Sequence, residues 1–469
     1  MIERYWTPDM KRIWGTNKRK FAAWREVEIA VLNAREMLNQ IPDGNARRTD
    51  LKTWVDEKVT VAIERRDHLV RHDLNAFIDI MRLQLLLPEE VDRIFSLEND
   101  EAFNAAVTEG LKHRHENDTA SFFHDGMTSY DTEEPAMAML LRDSSALIKK
   151  SLWRLGTLLR ASAVSHRGQI MVGRTHGQHA QPITFGKKLL DWFDLIVRAN
   201  KSLDEAHEQI NVMKLSGAVG LYGTLGPDVE EEVGKQLSLT PVIATQIVSL
   251  DRRARLVNEL AIIASVVEKI AFDLWIMAQT EIGEIREPFG KMQKGSSAMP
   301  HKKNPITLEK IRGLSRHVRS CAMSTMENVA TSHERDISHS SVERIAVVDA
   351  FAILDHMLFE LTRIIEGMDV FPERMLANLE MTFGTIASQK VEMFLKQKGI
   401  PAETAYRVVQ QACAEAMSSR THLRELLRAK TELVIILGDD ALSEIDTCFD
   451  WKMWVEHEDS IYEKQGVNS

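Results

Sequence analysis

An all-α fold, built around a bundle of very long helices, is what this sequence predicts, and three observations predict it. The first is proline spacing. Only twelve prolines occur, and none falls between Pro135 and Pro182, Pro182 and Pro227, Pro241 and Pro288, or Pro305 and Pro372. A proline inside a helix costs about 3 kcal/mol, so these gaps are where long helices fit. The second is periodicity. Leu256, Leu260, Ile263, Val267, Ile270, Leu274 and Met277 recur at alternating steps of four and three, the seam of a helical bundle. Val257, Ala261, Ala264, Val266, Ala271 and Trp275 make the other faces apolar too, which predicts burial on every side, with neighbours from other subunits. The third is the scarcity of β-branched alternating runs bounded by turns.

At 469 residues the chain is too long for one ordinary core, and about three domains are expected. We place them at 1–127, a more polar and broken helical region; 128–369, the long-helix bundle; and 370–469, a smaller helical domain. A chain 44% hydrophobic and 27% charged is a soluble globular balance. No run of 18 uncharged apolar residues suggests a membrane span, and no apolar h-region follows the start, so a cytoplasmic location is expected. Cys321, Cys413 and Cys448 are too far apart for a zinc pattern and odd in number, which excludes a full disulfide framework. The net charge of -10 argues against non-specific nucleic-acid binding but leaves room for a local basic pocket.

In the N-terminal region Phe21 to Gln40 reads as a helix ended near Pro42-Asp43-Gly44, and Arg71-His72-Asp73 closes a second helical run. Residues 83–119, with an acidic cluster at Glu98–Glu101, read as a peripheral, solvated helical excursion. In His124-Asp125-Gly126-Met127-Thr128-Ser129-Tyr130-Asp131, the residues Thr128, Ser129 or Asp131 cap the next helix. A helix start with hydroxyls is equally an anion site, and this segment alone does not separate the two.

Gly173-Arg174-Thr175-His176-Gly177 through Thr184 reads as a polar interruption between helices, in which His176 is either a satisfied loop residue or an imidazole titrating near neutrality. Ser216-Gly217-Ala218-Val219-Gly220 is a small-residue break where backbone approaches a ligand closely. In Gly295-Ser296-Ser297-Ala298-Met299-Pro300-His301-Lys302-Lys303-Asn304-Pro305, glycine and two prolines forbid a continuous helix. The loop offers two hydroxyls, and Lys302 and Asn304 are donors suited to a carboxylate. In His333–Arg344, the pair Arg335 and Arg344 with Ser340 suits a salt-bridged turn, and equally a phosphate or carboxylate.

Taken together these segments carry a family. Gly295–Pro305 resembles the signature loop of the fumarase/aspartase superfamily, whose members eliminate fumarate from succinyl compounds. Thr128-Ser129-Tyr130-Asp131 and Gly173–Gly177 are similar to its other two active-site segments. The opening Ile2-Glu3-Arg4-Tyr5, Arg71-His72-Asp73, Ser216–Gly220, His301 after Met-Pro, and His333–Arg344 resemble the adenylosuccinate lyase branch. The likeness runs from residue 1 to about 450. Residues 83–119 depart from compact bacterial members, and Thr331-Ser332 stands where many relatives carry a bulky residue.

The resemblance implies an anti β-elimination releasing fumarate from adenylosuccinate, and from the related carboxamide ribotide of purine synthesis. It implies a homotetramer with a twenty-helix core and active sites shared between subunits, nucleotide substrates, and neither nucleic acid nor membrane as partner. Ser296 would be the base, with Ser297 the alternative, activated by Lys302 and backbone N–H groups near Gly295. His176 would be the general acid, held by Glu309. Arg71, His72, Asp73 and His124 would bind or orient substrate. Thr128, Ser129, Thr175, Lys302 and Asn304 would bind the succinyl carboxylates, Ser297 and Met299 would also bind substrate, and Gln246 would contact the base or succinyl group. Arg4, Tyr5, Arg335, Ser340 and Arg344 would hold phosphate and ribose. No metal or organic cofactor is expected, since no ligand cluster is visible. Two alternatives remain: a sister lyase acting on another succinyl or carboxymuconate substrate, and a non-enzymatic scaffold, which would need none of Ser296, His176, Lys302 and Glu309.

Overall fold

A computed structural model of the chain describes residues 3–114, 118–290 and 298–467. The expectation of an all-α protein holds: twenty α-helices, five short 3-10 helices and six short strands account for its regular structure among those residues. The chain divides into two compact units. One comprises Met1–Ser151, Asn200–Ser265 and Leu314–Met357; the other comprises Leu152–Ala199, Val266–Gly313 and Leu358–Ser469. Five long helices carry residues of both: α9 (Ser129–Ser165), α10 (Phe185–Ile210), α12 (Asp251–Met277), α13 (Ile306–Glu327) and α14 (Ser338–Gly367).

The first unit opens with α1 (Pro8–Trp14), α2 (Lys18–Met37), α3 (Asn45–Lys52), α4 (Glu57–Val70) and α5 (Asp73–Leu86). Their ends are set by local chemistry. Asp56 accepts from the Val59 N–H at 2.9 Å and caps α4, whose last turn closes on Arg71 in the left-handed region at φ 56°. His72 then caps α5 through Nδ1. Phe21, Trp24, Val27, Val31, Ile63, Phe77 and Met81 pack into one core, where Trp24 meets Phe77 edge-on at 5.4 Å.

After α6 (Val91–Phe95), α7 (Asp100–Gly110) corrects the expectation for residues 83–119. Asn99 caps α7 by accepting from the Ala102 N–H at 2.9 Å. Phe103 and Val107, one turn apart, are fully buried in the same core as Leu83 and Phe77. The segment is therefore a structural part of the first unit. Its charge covers only the outer face of an amphipathic helix.

α8 (Thr119–Phe122) leads to the start of α9. Pro135 lies inside α9, so the helix begins before the proline-free gap that was used to locate it. In the second turn proline removes a single i to i-4 bond, which a 37-residue helix absorbs. α11 (Pro227–Leu237) packs on α2 within this unit.

In the second unit, β1 (Ile170–Thr175) and β2 (Gln178–Thr184) form an antiparallel hairpin where a polar interruption was expected. His176 (φ 54°) and Gly177 (φ 74°) make its two-residue turn. Two successive left-handed residues fit the right-handed twist of a hairpin, and glycine second in the turn is the preferred choice. A register shift between Val172 and Arg174 places a bulge at Gly173, and the alternation that would have signalled strands is lost there.

Along α12 the seam is as expected: Leu256, Leu260, Ile263, Val267, Ile270 and Leu274 are fully buried. Ile262 and Phe272 on the same helix are 56% and 40% exposed, so one chain does not bury it all round. From α15 (Pro372–Glu380) onward come α16 (Ser388–Gln397), α17 (Ala402–Ser419), α18 (Leu423–Ala429), α19 (Thr431–Glu444) and α20 (Glu458–Lys464). Val391, Leu395, Val409, Ala412 and Leu427 form a second core there. No helix among the described residues is long and apolar enough to cross a membrane.

Candidate active site

In the first unit the α4–α5 corner, the start of α9 and the start of α14 converge on a cavity of about 240 Å³. Seven of the expected substrate residues line it: Arg71, His72, Asp73, Ser129, Arg335, Ser340 and Arg344. Arg71 and His72 are presented by the left-handed C-cap and the N-cap of successive helices. Ser340 and Arg344 stand one turn apart on α14, so they share a face.

The cavity is strongly charged. Asp73 Oδ2 lies 3.0 Å from Arg344 Nη2 and 3.3 Å from Lys20 Nζ. Burial pushes the Asp73 carboxyl up, but Lys20 and Arg344 outweigh it and hold the group below its ordinary value. Lys20 is pushed down, chiefly by burial, against the opposing pull of Asp73. Arg335 lies 3.8 Å over the Tyr130 ring, and its Nη1 donates to Gln246 Oε1 at 3.3 Å. Burial, then the charge of Glu133, pushes the Tyr130 hydroxyl up. The loop carrying Arg335 is tied by Asp336, which accepts from the N–H groups of Ser332 at 2.7 Å and Ser338 at 2.8 Å. Those bonds, led by the Ser338 hydroxyl, bring the Asp336 carboxyl down to about 2.

Beside the cavity, Arg253 forms the centre of a buried set. It donates to Glu343 at 2.9 Å and 3.0 Å and is bonded to Glu134. Glu343 also faces His339 Nδ1 at 3.3 Å. Burial opposes ionisation of Glu343, but Arg253 and His339 more than offset it.

The remaining expected residues of this unit fall into three places. His124, in the left-handed region at φ 58°, has Nδ1 2.7 Å from Glu28 Oε1, which also accepts from the Thr132 hydroxyl at 2.7 Å. That contact fixes the imidazole ring and leaves Nε2 for a ligand. Thr128 precedes α9, and its N–H donates to Asp131 Oδ2 at 2.9 Å, so Asp131 is the residue that caps this helix start. Arg4 and Tyr5 form a short 3-10 turn, with the Tyr5 ring 5.2 Å from that of His356; neither lines the cavity.

In the second unit Thr175 ends β1 and His176 occupies the exposed turn. Among the described residues the His176 imidazole has no hydrogen-bond partner. The hairpin is anchored two residues before His176: Arg174 donates to the fully buried Glu284 at 2.7 Å and 3.1 Å, and Asn378 donates to the same carboxylate at 2.9 Å. Glu309, in the first turn of α13, accepts from Trp275 Nε1 at 3.2 Å, so the single chain does not make the expected His176–Glu309 pair. The helix start is capped by Glu287, which accepts from the N–H groups of Leu308 at 2.6 Å and Thr307 at 3.3 Å. Met299, Lys302 and Asn304 lie in the loop ahead of α13, where the Lys302 N–H closes a turn on the Met299 carbonyl at 3.0 Å. Gly295, Ser296 and Ser297 lie outside the described residues.

This arrangement has relatives. A family model described as Lyase matches residues 93–320, and one described as Adenylosuccinate lyase C-terminus matches residues 384–465. Curated adenylosuccinate lyases are similar along the whole chain. The Aquifex aeolicus protein is 37% identical over 99% of this chain and 98% of its own length. The Synechocystis protein is 38% identical over the full length of both. The chain belongs to the adenylosuccinate lyase family. A solved fumarate lyase from Mesorhizobium superposes with a TM-score of 0.79 at 27% identity over 96% of each chain. A 3-carboxy-cis,cis-muconate lactonizing enzyme from Pseudomonas putida reaches a TM-score of 0.82 at 23% identity over 99% of this chain and 97% of its own, a likeness of fold alone.

Against the family's motifs, sequence reasoning missed Glu133 in the charged cavity and Lys20 in the one that adjoins it. Glu133 stands one turn beyond Ser129 on α9, and that i, i+4 spacing was a signal available in the sequence. Lys20 gave no such signal. It sits in the run Lys18-Arg19-Lys20, and only the packing of α2 against α5 selects it from its neighbours.

Proposed function

We propose that this chain cleaves adenylosuccinate to AMP and fumarate, and the related succinylated carboxamide ribotide to its amide, by anti β-elimination. The observation that carries this reading is the cavity where Arg335 and Arg344, with Ser340, Ser129 and His72, converge beside Gln246. Two guanidinium groups match a phosphate in charge and geometry, and a hydroxyl-bearing helix start suits a carboxylate.

On this reading Ser296 removes the proton beside a succinyl carboxylate, with Ser297 the alternative, and His176 protonates the departing nitrogen. Lys302, Asn304, Thr128, Ser129 and Thr175 hold the dianion that forms between those events. Arg4 and Tyr5 join the phosphate side in the assembled enzyme, and Met299 flanks the succinyl group. His72 and His124 orient the substrate, the latter steadied by Glu28. Since His176 is exposed and Glu309 is engaged by Trp275 within one chain, the acid is completed by neighbouring subunits of a homotetramer. The exposed Ile262 and Phe272 of α12 supply apolar surface for that assembly. A cytoplasmic enzyme of three domains, at 1–127, 128–369 and 370–469, is part of the same reading.

The test is the ultraviolet change of adenylosuccinate on mixing with the pure protein. Turnover of adenylosuccinate supports the assignment. Failure to act on it, with cleavage of another succinyl or carboxymuconate compound, would replace it with a sister lyase.

A further inference from the structure

We propose that Glu133 sets the protonation state in which the first unit's cavity accepts a phosphate dianion: the second negative charge of the ligand is matched by a proton taken up at Glu133. This rests on the nucleotide reading above, which gives Arg335 and Arg344 to the phosphate. Glu133 would be a positioning residue that tunes binding through the cations around it.

The geometry begins with where Glu133 stands. It lines the cavity holding Arg335 and Arg344, and also an adjoining one of about 240 Å³ that reaches Lys20 and Trp24. Among the described residues its carboxylate has no hydrogen-bond partner. Charged groups face these cavities from every surrounding element. α2 supplies Lys20, α5 supplies Asp73, and α14 with the loop before it supplies Arg344 and Arg335. α12 contributes Arg253 and α14 also Glu343, while Glu134 and Tyr130 share the helix of Glu133. Asp67, Arg71 and His72 line the first cavity from the α4–α5 corner.

Most of these groups are already satisfied by each other. Arg253 is bonded to both Glu134 and Glu343, and Glu343 also faces His339. His72 spends Nδ1 on the Asn75 N–H. Asp67 and Arg71, one turn apart at the end of α4, are opposite in sign. What remains is three cations, Lys20, Arg335 and Arg344, against two carboxylates, Asp73 and Glu133. Asp73 touches two of the cations and stays ionised. Glu133 touches none in a hydrogen bond. Burial, then Asp73, raises its carboxyl to about 7, while Lys20, Arg344 and Arg335 pull the other way.

With Glu133 ionised the cluster carries one net positive charge; with Glu133 protonated it carries two, the complement of a phosphate monoester dianion. When the dianion occupies Arg335 and Arg344, two of the cations that favour ionised Glu133 are neutralised, and a like charge within about 4–6 Å raises a carboxyl further. The proton comes from solvent. Well below pH 7 Glu133 already holds it, and binding takes up little there. Above pH 7 the free enzyme lacks it, so affinity falls as pH rises, by up to about tenfold per pH unit for one proton.

The test is calorimetric titration of AMP into the assembled full-length enzyme, wild type and Glu133→Gln, at pH 6 and pH 8. Pairs of buffers with different ionisation enthalpies give the protons exchanged. AMP ionises near pH 6 itself, and that contribution cancels between the two proteins. At pH 8 the wild type should take up more protons than the variant, up to about one per site, and at pH 6 the two should agree. From pH 7 to pH 8 the wild-type Kd should rise by up to about tenfold relative to the variant. Equal proton counts at pH 8, with AMP bound by both, would overturn the role of Glu133 and leave the nucleotide reading standing. Absence of AMP binding to the wild type would overturn both. Should Glu133→Gln not assemble, the wild type alone decides. An exchange at pH 6 and 8 fully accounted for by AMP's own ionisation would overturn the proposal.

Discussion

Lys214 and Asp131 form an ion pair with no access to water: Lys214 Nζ lies 2.6 Å from Asp131 Oδ1, and the two side chains are 0% and 1% exposed. The pair joins two segments far apart in sequence. Lys214 also donates to the Gly217 carbonyl at 2.7 Å. Asp131 accepts from the Gly217 N–H at 3.1 Å and the Thr128 N–H at 2.9 Å. The start of α9, with Thr128 and Ser129, is thereby fixed against the small-residue break at 216–220. Removing one partner leaves the other charge buried and unpaired, which costs about 3–5 kcal/mol. Asp131→Asn should lower stability in chemical denaturation by roughly that amount. Asp131→Asn with Lys214→Met should recover part of the loss. A single variant as stable as the parent would show that the pair does not hold these segments.

Arg335 and Arg344 should act on binding more than on chemistry. If they hold the phosphate as proposed, each loses charge-assisted bonds to it on truncation, at about 1.5–3 kcal/mol, or roughly 10- to 150-fold. Arg335→Ala and Arg344→Ala should therefore raise KM for adenylosuccinate by such factors. With the dephosphorylated nucleoside as substrate, the parent should be slow and Arg344→Ala should add little further loss. Equal cleavage of nucleotide and nucleoside by the parent would remove the phosphate from this cavity.

Phe103 tests the status of α7. Phe103→Ala empties a fully buried aromatic site in the first unit's core, a change that costs about 3–5 kcal/mol. The thermal midpoint should fall, and deletion of residues 83–119 should prevent folding of this unit. A folded, assembled deletion variant would restore the view of this segment as peripheral.

What the sequence revealed and what it concealed have physical causes. The α12 seam was legible because a bundle interface repeats along one element, and Leu256 through Leu274 record it directly. Arg335, Ser340 and Arg344 were legible as candidates because a polar interruption of the longest proline-free segment, at the loop between α13 and α14 and the start of α14, needs a reason. The β1–β2 hairpin was not legible, because the bulge at Gly173 breaks the alternation and polar residues fill much of β2. α7 was misjudged because Phe103 and Val107 are two apolar positions among charges, and burial of one narrow stripe leaves the composition polar. Lys20 was invisible for a different reason: its partner Asp73 is 53 positions away, and no local pattern encodes that contact.

The proposed shared site makes the strongest demand on the assembly. Within one chain His176 sits on an exposed hairpin turn, and Glu309, expected to hold it, accepts from Trp275. If neighbouring subunits complete the acid, His176 and Ser296 of any one site come from different chains. Neither His176→Ala nor Ser296→Ala should then turn over substrate as a homotetramer, while each should fold and assemble. Mixed in equal amounts, dissociated and reassembled, they should regain activity. A site works only where the histidine donor is a Ser296→Ala chain and the serine donor is a His176→Ala chain. With random exchange each condition holds about half the time, so about a quarter of sites recover. The fumarate-releasing absorbance assay measures that fraction, and mass spectrometry confirms the exchange. No recovery in fully exchanged tetramers would put both groups on one chain and end the shared-site reading. Recovery with Ser297→Ala in place of Ser296→Ala, alongside an active Ser296→Ala homotetramer, would move the base to Ser297.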